Sequence, residues 1–234
     1  MADKDVIVAC DFPSLEGTKE FLSNFKEEKP YVKIGMELFY SEGPKVVKEI
    51  KAMGHKIFLD LKLHDIPNTV ARATSQLAKL GVDMTNVHAA GGTKMMSAAL
   101  EAIRESGAST KLIAVTQLTS TSEQVMHNEL LLDNSKSIKE VVCSYATNAK
   151  KAGLAGVVCS PLESSLIKET CGTSFLTITP GIRFADDAKG DQVRVTTPAD
   201  AKASSDFIVV GRSITAADDP VVAYNRCVKD FLGE

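Results

Sequence analysis

The segment Leu59–Thr69 carries acidic, basic and imidazole side chains within an apolar run. Because side chains alternate along a strand, Asp60, Lys62 and His64 are predicted to share one face, with leucines on the other. Asp65 lies just beyond, where the chain turns toward a predicted helix. Carboxylate and ammonium groups at this spacing could move protons or stabilise developing charge.

Two further charges stand in comparable places on neighbouring apolar runs. Lys33 lies within Tyr31–Gly35, and Asp11 ends the first run of the chain. One such charge alone would be typical of a solvated strand end with an ordinary surface ion pair. Charges that converge from strands one, two and three predict an alternating network of lysine and aspartate, because burial without pairing is costly.

The expected network indicates a role for Lys62. Neighbouring carboxylates favour its ammonium form, whereas a Schiff-base lysine must be neutral. Lys62 is therefore better suited to donating a proton, and to stabilising a carbanion beside it, than to attacking a carbonyl.

A second group of candidate residues ends the last two predicted strands. Arg183 follows Thr179-Pro180-Gly181-Ile182, and Arg212 follows Gly211. Glycine allows a close approach to the backbone, and arginine supplies a fork of donors that matches phosphate oxygens. Together, these positions predict a phosphate monoester site.

The elements that must position these residues are eight short, β-branched runs separated by segments of helical periodicity. Most runs lack polar alternation, as expected of strands buried on both faces of a parallel sheet. The spacing predicts an α/β fold, a single (β/α)8 TIM barrel over residues 1–234 as one domain, with a doubly wound open sheet as the alternative. The runs are Val6–Asp11, Tyr31–Gly35, Lys56–Leu63, Met84–Ala89, Lys111–Leu118, Gly156–Ser160, Ser174–Gly181 and Phe207–Ser213.

Local signals support this reading. Ser137 with Glu140 and Ser160 with Glu163 predict capping boxes, and four glycines are predicted to end helices. The longer connections Thr119–Asn134 and Arg183–Thr197 leave the carboxyl ends of strands, where barrel enzymes build their sites, and predict a functional lid. The four glycines are Gly54, Gly81, Gly107 and Gly153.

Composition limits the classes of partner. With 27 Lys plus Arg against 30 Asp plus Glu, the formal net charge is −3, which favours neither a nucleic-acid nor a membrane partner. The longest apolar runs are far shorter than the ~20 residues that span a bilayer, and the amino terminus does not resemble a secretory signal. Five widely spaced cysteines predict free thiols in a reducing cytoplasm. The four scattered histidines predict structural roles and no metal site.

These motifs closely resemble those of the orotidine 5′-phosphate decarboxylase family of the bacterial type, and the match extends over essentially the whole chain. The segment Asp60–Thr69 together with the two arginines is its most specific part, since Asp-x-Lys-x-x-Asp alone occurs in sugar-phosphate decarboxylases and synthases of the same superfamily. The matching segments are Asp11-Phe12, Val32–Phe39, Asp60–Thr69, Asn86–Gly92, Thr116–Ser122, Pro180–Arg183, Asp191-Gln192 and Val210–Ser213.

The resemblance implies decarboxylation of orotidine 5′-phosphate to UMP, without metal or cofactor, in a homodimer with shared active sites. It implies that Lys33, Asp60 and Lys62 form a network with Asp65 from the neighbouring subunit, and that Lys62 protonates C6. The other implied contacts are Asp11 and Lys33 with the ribose, Thr69 across the subunit boundary, Thr119 with the pyrimidine, and Gln192, Gly211, Arg212 and Arg183 at the phosphate.

Three alternatives remain open at this stage. A magnesium-dependent sugar-phosphate lyase of the same superfamily is disfavoured because such relatives place an acid where this chain has Lys33. A Schiff-base aldolase is opposed by the carboxylates around Lys62. A non-catalytic nucleotide-binding barrel would bind UMP without turnover.

Overall fold

Eight parallel strands form a closed barrel in the computed structural model, which describes residues 4–187 and 196–233. Each strand pairs with its neighbours in sequence order, and β8 closes onto β1. The predicted barrel is therefore confirmed, and the open-sheet alternative is wrong. The strands are β1 Asp5–Ala9, β2 Tyr31–Ile34, β3 Ile57–Leu63, β4 Met84–His88, β5 Lys111–Val115, β6 Gly156–Val158, β7 Leu176–Thr179 and β8 Phe207–Val210.

Helices follow the strands and cover the outside of the barrel. In the described residues they are α1 Leu15–Leu22, α2 Met36–Glu42, α3 Pro44–Ala52, α4 Pro67–Ala78, α5 Gly92–Glu105, α6 Glu123–Asn128, α7 Ile138–Lys151, α8 Pro161–Cys171, α9 Pro198–Ala201, α10 Arg212–Thr215 and α11 Pro220–Leu232. A 3-10 turn, Ala89–Gly91, precedes α5. No helix among the described residues has the length and apolar character that crossing a membrane requires.

The local signals for helix ends are confirmed. Ser137 and Ser160 each form a capping box with the glutamate three residues later. The four predicted C-terminal glycines all have positive φ, the conformation that lets the chain leave a helix at no steric cost.

The long connection after β5 contains the short helix α6, which begins behind the cap Ser122. The predicted ends of several strands are wrong. These strands end earlier than expected: β5 ends at Val115, and β8 ends at Val210 since Arg212 already begins α10. Apolar residues continue beyond the last hydrogen bond between neighbouring strands, so the sequence pattern alone overestimates the length of a strand.

The strands divide their side chains between two apolar layers. One layer fills the inside of the barrel and includes Tyr31, Phe58 and Met84. The other lies between barrel and helices and includes Val32 and Leu59 from the same strands. Because the side-chain period of a strand is two, the next inward positions above the inner layer are the ones that reach the mouth.

At the opposite end of the barrel, an ion pair ties α8 to the start of β8. The Lys168 Nζ lies 2.5 Å from an Asp206 carboxylate oxygen and donates to the Thr173 and Phe175 carbonyls. Asp206 also accepts from the Thr177 backbone N–H. Only 15% and 5% of the two charged side chains are exposed, so each depends on the other for charge compensation.

We expect Lys168→Met to lower the free energy of unfolding by about 3–5 kcal/mol, because Asp206 would remain buried without its counter-charge. Urea denaturation measures the change. The matched control is Lys19→Met, whose partner Glu49 is 41% exposed and whose loss should cost less than about 1 kcal/mol. Equal losses in both variants would contradict the assigned role of the buried pair.

Candidate active site

Three strands bring a line of alternating charges to the carboxyl end of the barrel. The Lys62 Nζ lies 2.7 Å from one oxygen of Asp60, and the Lys33 Nζ lies 3.8 Å from the other. Lys33 also bonds to Asp11 at 2.8 Å. One continuous series of ion pairs therefore joins four of the predicted residues, and we call it the charged line: Asp11, Lys33, Asp60 and Lys62.

Asp60 is at the centre of this chain and is the most enclosed of its acids. Burial by itself would raise the pKa of its carboxyl. The charges of Lys33 and Lys62, with hydrogen bonds from Lys62 and Asn86, outweigh that cost and hold the pKa below its usual range. Asp60 is therefore an anion at neutral pH, and it keeps two ammonium groups close together.

The side chains of β3 do not alternate regularly as far as Lys62, contrary to the sequence prediction. Lys62 has a φ of 50°, and the β3–β4 register shifts between Leu59 and Leu63. The shift is a local irregularity that re-aims side chains next to a site. Lys62 still meets Asp60 on the inward side, while Leu61 remains buried.

Asn86 contacts both sides of this irregularity in β3. The sequence analysis does not predict a role for this residue. Its side-chain amide forms hydrogen bonds with the Asp60 carboxylate and with the Lys62 backbone N–H. The available signal was its position two residues after Met84, which places it on the inward face of β4.

Two histidines flank the same end of the barrel. The rings of His64 and His88 stack with centroids 5.5 Å apart. The His88 Nδ1 accepts the Ala90 N–H, so the ring carries its proton on Nε2. Burial, followed by the nearby His64 and Lys62, lowers the pKa of His88 and favours this neutral form.

The second predicted group of residues lines a cavity of about 410 Å³ beside the charged line. Because β8 pairs with β1, the cavity is shared by the ends of β1, β2, β7 and β8. Its lining includes the charged residues Asp11, Lys33, Arg183 and Arg212, together with Gly211.

Gly35 lies directly against the ion pair of Asp11 and Lys33. A Cβ at this position would lie 3.0 Å from the Asp11 carboxylate oxygen and 3.2 Å from the Lys33 Nζ. A side chain at this position would therefore be in tight contact with both groups, which would have to shift by a few tenths of an ångström.

The start of the connection after β7 is fixed to α10 and α11. Asp187 accepts hydrogen bonds from the Ser213 hydroxyl and from the Phe184 N–H. The Arg226 guanidinium lies 4.1 Å from the centre of the Phe184 ring and pairs with Asp186. These contacts hold the chain that follows Arg183 against the residues that follow Arg212.

The remaining predicted site residues lie apart from the charged line or outside the described residues. Asp65 and Thr69 are exposed, and Asp65 accepts from its neighbour, the Ile66 N–H, at 2.6 Å. Thr119 is half-buried in the connection after β5. Gln192 lies outside the described residues, as do residues 188–195 of the second connection predicted to form a lid.

A closed parallel barrel with charged side chains at the carboxyl ends of its strands defines a (β/α)8-barrel enzyme. The family described as orotidine 5′-phosphate decarboxylase / HUMPS matches residues 4–227, and the chain belongs to this family.

Individual relatives extend over nearly the whole chain. It is 56% identical over 233 residues to orotidine 5′-phosphate decarboxylase of Geobacillus sp. (strain WCH70), covering 97% of each sequence. It is 54% identical over 227 residues to the enzyme of that name from Staphylococcus aureus (strain Newman), covering 97% of each. The crystal structure of orotidine 5′-phosphate decarboxylase from Lactobacillus acidophilus superposes with a TM-score of 0.87 at 44% identity, covering 98% of this chain and 99% of that one.

Proposed function

We propose that the protein is a carboxy-lyase that converts orotidine 5′-phosphate to UMP in de novo pyrimidine biosynthesis, without metal or cofactor and as one catalytic domain. Membership of the family and the names of its relatives support the reaction. The observation that carries the mechanism is the Lys62 ammonium 2.7 Å from the Asp60 carboxylate, at the mouth of the barrel.

The difficult step is cleavage of the bond between C6 and the carboxylate. As carbon dioxide leaves, the electron pair stays on C6, where the pyrimidine ring cannot readily delocalise it. A fixed ammonium beside C6 stabilises the developing carbanion, and the Lys62 Nζ then donates the proton that completes UMP. Asp60 contributes by orienting the Lys62 ammonium.

The rest of the proposed site holds the substrate at both ends. Arg212, Gly211 and Gln192 bind the phosphate, with Arg183 supporting that end of the cavity. Asp11 and Lys33 bind the ribose hydroxyls, and Thr119 contacts the pyrimidine. Binding energy from the phosphate, remote from the reacting bond, can then order the site around C6.

We further propose that the enzyme is a homodimer in which Asp65 and Thr69 act in the partner's site. Both residues lie in an exposed segment next to the barrel mouth, where Ile66 is 67% exposed. The resemblance of Asp60–Thr69 to the family motif supports this assignment, and the exposure of the segment leaves it accessible to a second copy of the chain. Asp65 would then complete the charged line from across the interface.

A cytoplasmic location without nucleic-acid or membrane partners is part of the same proposal. The balanced charge of the chain and its five free cysteines support it.

The alternative is a magnesium-dependent sugar-phosphate lyase of the same superfamily. Lys33 argues against it, because its ammonium occupies the position beside Asp60 where an acidic metal ligand would be required. The following assay separates the two reactions.

Purified protein mixed with orotidine 5′-phosphate should cause the loss of ultraviolet absorbance that accompanies formation of UMP. We expect exhaustive treatment with EDTA to leave this rate unchanged, because the ammonium of Lys62 supplies the charge that a metal would otherwise provide. Activity that disappears with EDTA and returns with magnesium would support the lyase. No turnover of orotidine 5′-phosphate at all would refute the proposed function.

Two substitutions should separate chemistry from binding. Lys62→Ala should nearly abolish turnover while UMP still binds, because the phosphate and ribose contacts remain. Arg212→Ala should mainly raise KM, since each charge-assisted hydrogen bond to phosphate contributes about 1.5–3 kcal/mol. Steady-state kinetics and calorimetric titration with UMP measure the two effects.

Orotidine without its phosphate is the matched control for Arg212. The Arg212→Ala variant and the wild type should differ little on this substrate. An equal loss on both substrates would contradict the assignment of Arg212 to the phosphate.

The shared site can be tested with mixed dimers. In a heterodimer of a Lys62→Ala chain and an Asp65→Ala chain, one site lacks both residues and the other has both. Mixing the two nearly inactive proteins under subunit exchange should therefore restore roughly a quarter of wild-type activity, assuming random exchange and independent sites.

Self-mixed samples of each variant, carried through the same exchange, provide the background rate. Verified heterodimers that are no more active than their parents would show that Asp65 does not act across the interface.

A further inference from the structure

Asn86 is a fully buried polar residue on the inward side of β4, between the apolar layer of the barrel and its charged mouth. Its hydrogen-bond partners are the charged residues Asp60 and Lys62 on β3, and Lys33 on β2 pairs with the same Asp60. His88 follows two residues later on β4. The mechanism above gives Asn86 no role.

Its side chain makes two hydrogen bonds, one to each member of the catalytic pair. The Nδ2 donates to the Asp60 Oδ1 at 2.7 Å, and the Oδ1 accepts the Lys62 backbone N–H at 2.8 Å. A backbone N–H can only donate and an ionised carboxylate can only accept, so these partners fix the orientation of the amide.

The bond to the Lys62 backbone occurs where β3 departs from regular structure. Leu59 pairs with Thr85 and Leu63 pairs with Val87, so four steps along β3 match two along β4. Lys62 lies within this bulge with a φ of 50°, a conformation that non-glycine residues rarely adopt and that surrounding contacts must hold. The carboxamide of Asn86 supplies such a contact.

The bond to Asp60 acts on the same pair from its acidic side. The Asp60 oxygen that accepts from Asn86 is the one that binds the Lys62 ammonium. One amide therefore fixes both the backbone from which the ammonium extends and the oxygen to which it is directed.

We propose that Asn86 is a positioning residue that aims the Lys62 ammonium at the reacting carbon. This inference rests on the proposed function for its consequence in turnover, and on the two hydrogen bonds for its structural part. Asn86 does not touch the substrate in this account; it acts through Asp60 and Lys62.

Two substitutions separate the two bonds. In Asn86→Leu the new side chain is similar in size to asparagine and forms neither hydrogen bond. Asn86→Asp keeps an acceptor for the Lys62 N–H but, when ionised, sets a carboxylate against Asp60. At low pH the new carboxyl is protonated and can donate to Asp60 as the amide did.

We expect Asn86→Leu to lower kcat by ~100-fold, because small misplacement of a reacting group has effects of this size, with UMP binding little changed. Its rate relative to wild type should fall further as pH falls, since loss of the Asn86 hydrogen bond raises the pKa of Asp60. The Asn86→Asp variant should show the opposite trend, with its relative rate rising as pH falls.

Thr85→Val is the matched control. Thr85 is equally buried on the same strand and donates to the Leu59 carbonyl of β3, on the side away from the charged pair. The Thr85→Val substitution should lower the stability of the protein without changing kcat or its pH profile. Equal kcat losses in Thr85→Val and Asn86→Leu would overturn the proposal, as would the same pH trend in both Asn86 variants.

A crystal structure of Asn86→Leu gives a readout independent of activity. The positioning role requires that Lys62 leaves its positive φ or that its Nζ moves away from Asp60; an unchanged geometry would overturn it. An inactive wild-type protein in the same assay would refute the proposed function, while this structural comparison would still test the role of Asn86.

Discussion

The buried carboxylate of Asp60 is the constraint on which the mouth of the barrel depends. A charge removed from water must be paired and hydrogen-bonded, or it neutralises. Lys33, Lys62 and Asn86 meet this requirement from three adjacent strands. The Lys62 ammonium is therefore held by the same interactions that stabilise the charged mouth.

The periodicity of the strands joins this site to the core. On β2 and β3, the inward positions carry Tyr31 and Phe58 first, and Lys33 and Asp60 two residues later. An apolar layer thus closes the barrel directly beneath the charges and limits the water that could screen them. Low exposure strengthens each electrostatic interaction within the site.

Closure of the barrel joins the two halves of the site. Because β8 pairs with β1, the arginines that follow β7 and β8 line the same cavity as Asp11 and Lys33. The contacts of Asp187 with Ser213 and Phe184 then hold the chain after β7 to the segment after β8. The arginines at one end and the ammonium of Lys62 at the other fit the proposed substrate, which would be anchored remotely from its reacting bond.

The sequence by itself determined the strand and helix order, the capping boxes, the helix-ending glycines and the charges at the strand ends. These features depend on neighbours within a few residues, so their signals are local. Closure of the sheet, the true strand ends, the bulge at Lys62 and the hydrogen bonds of Asn86 were decided only by the tertiary structure. Each depends on contacts between segments far apart in the chain. Such contacts determine which backbone groups pair with a neighbouring strand and which bond to a side chain instead.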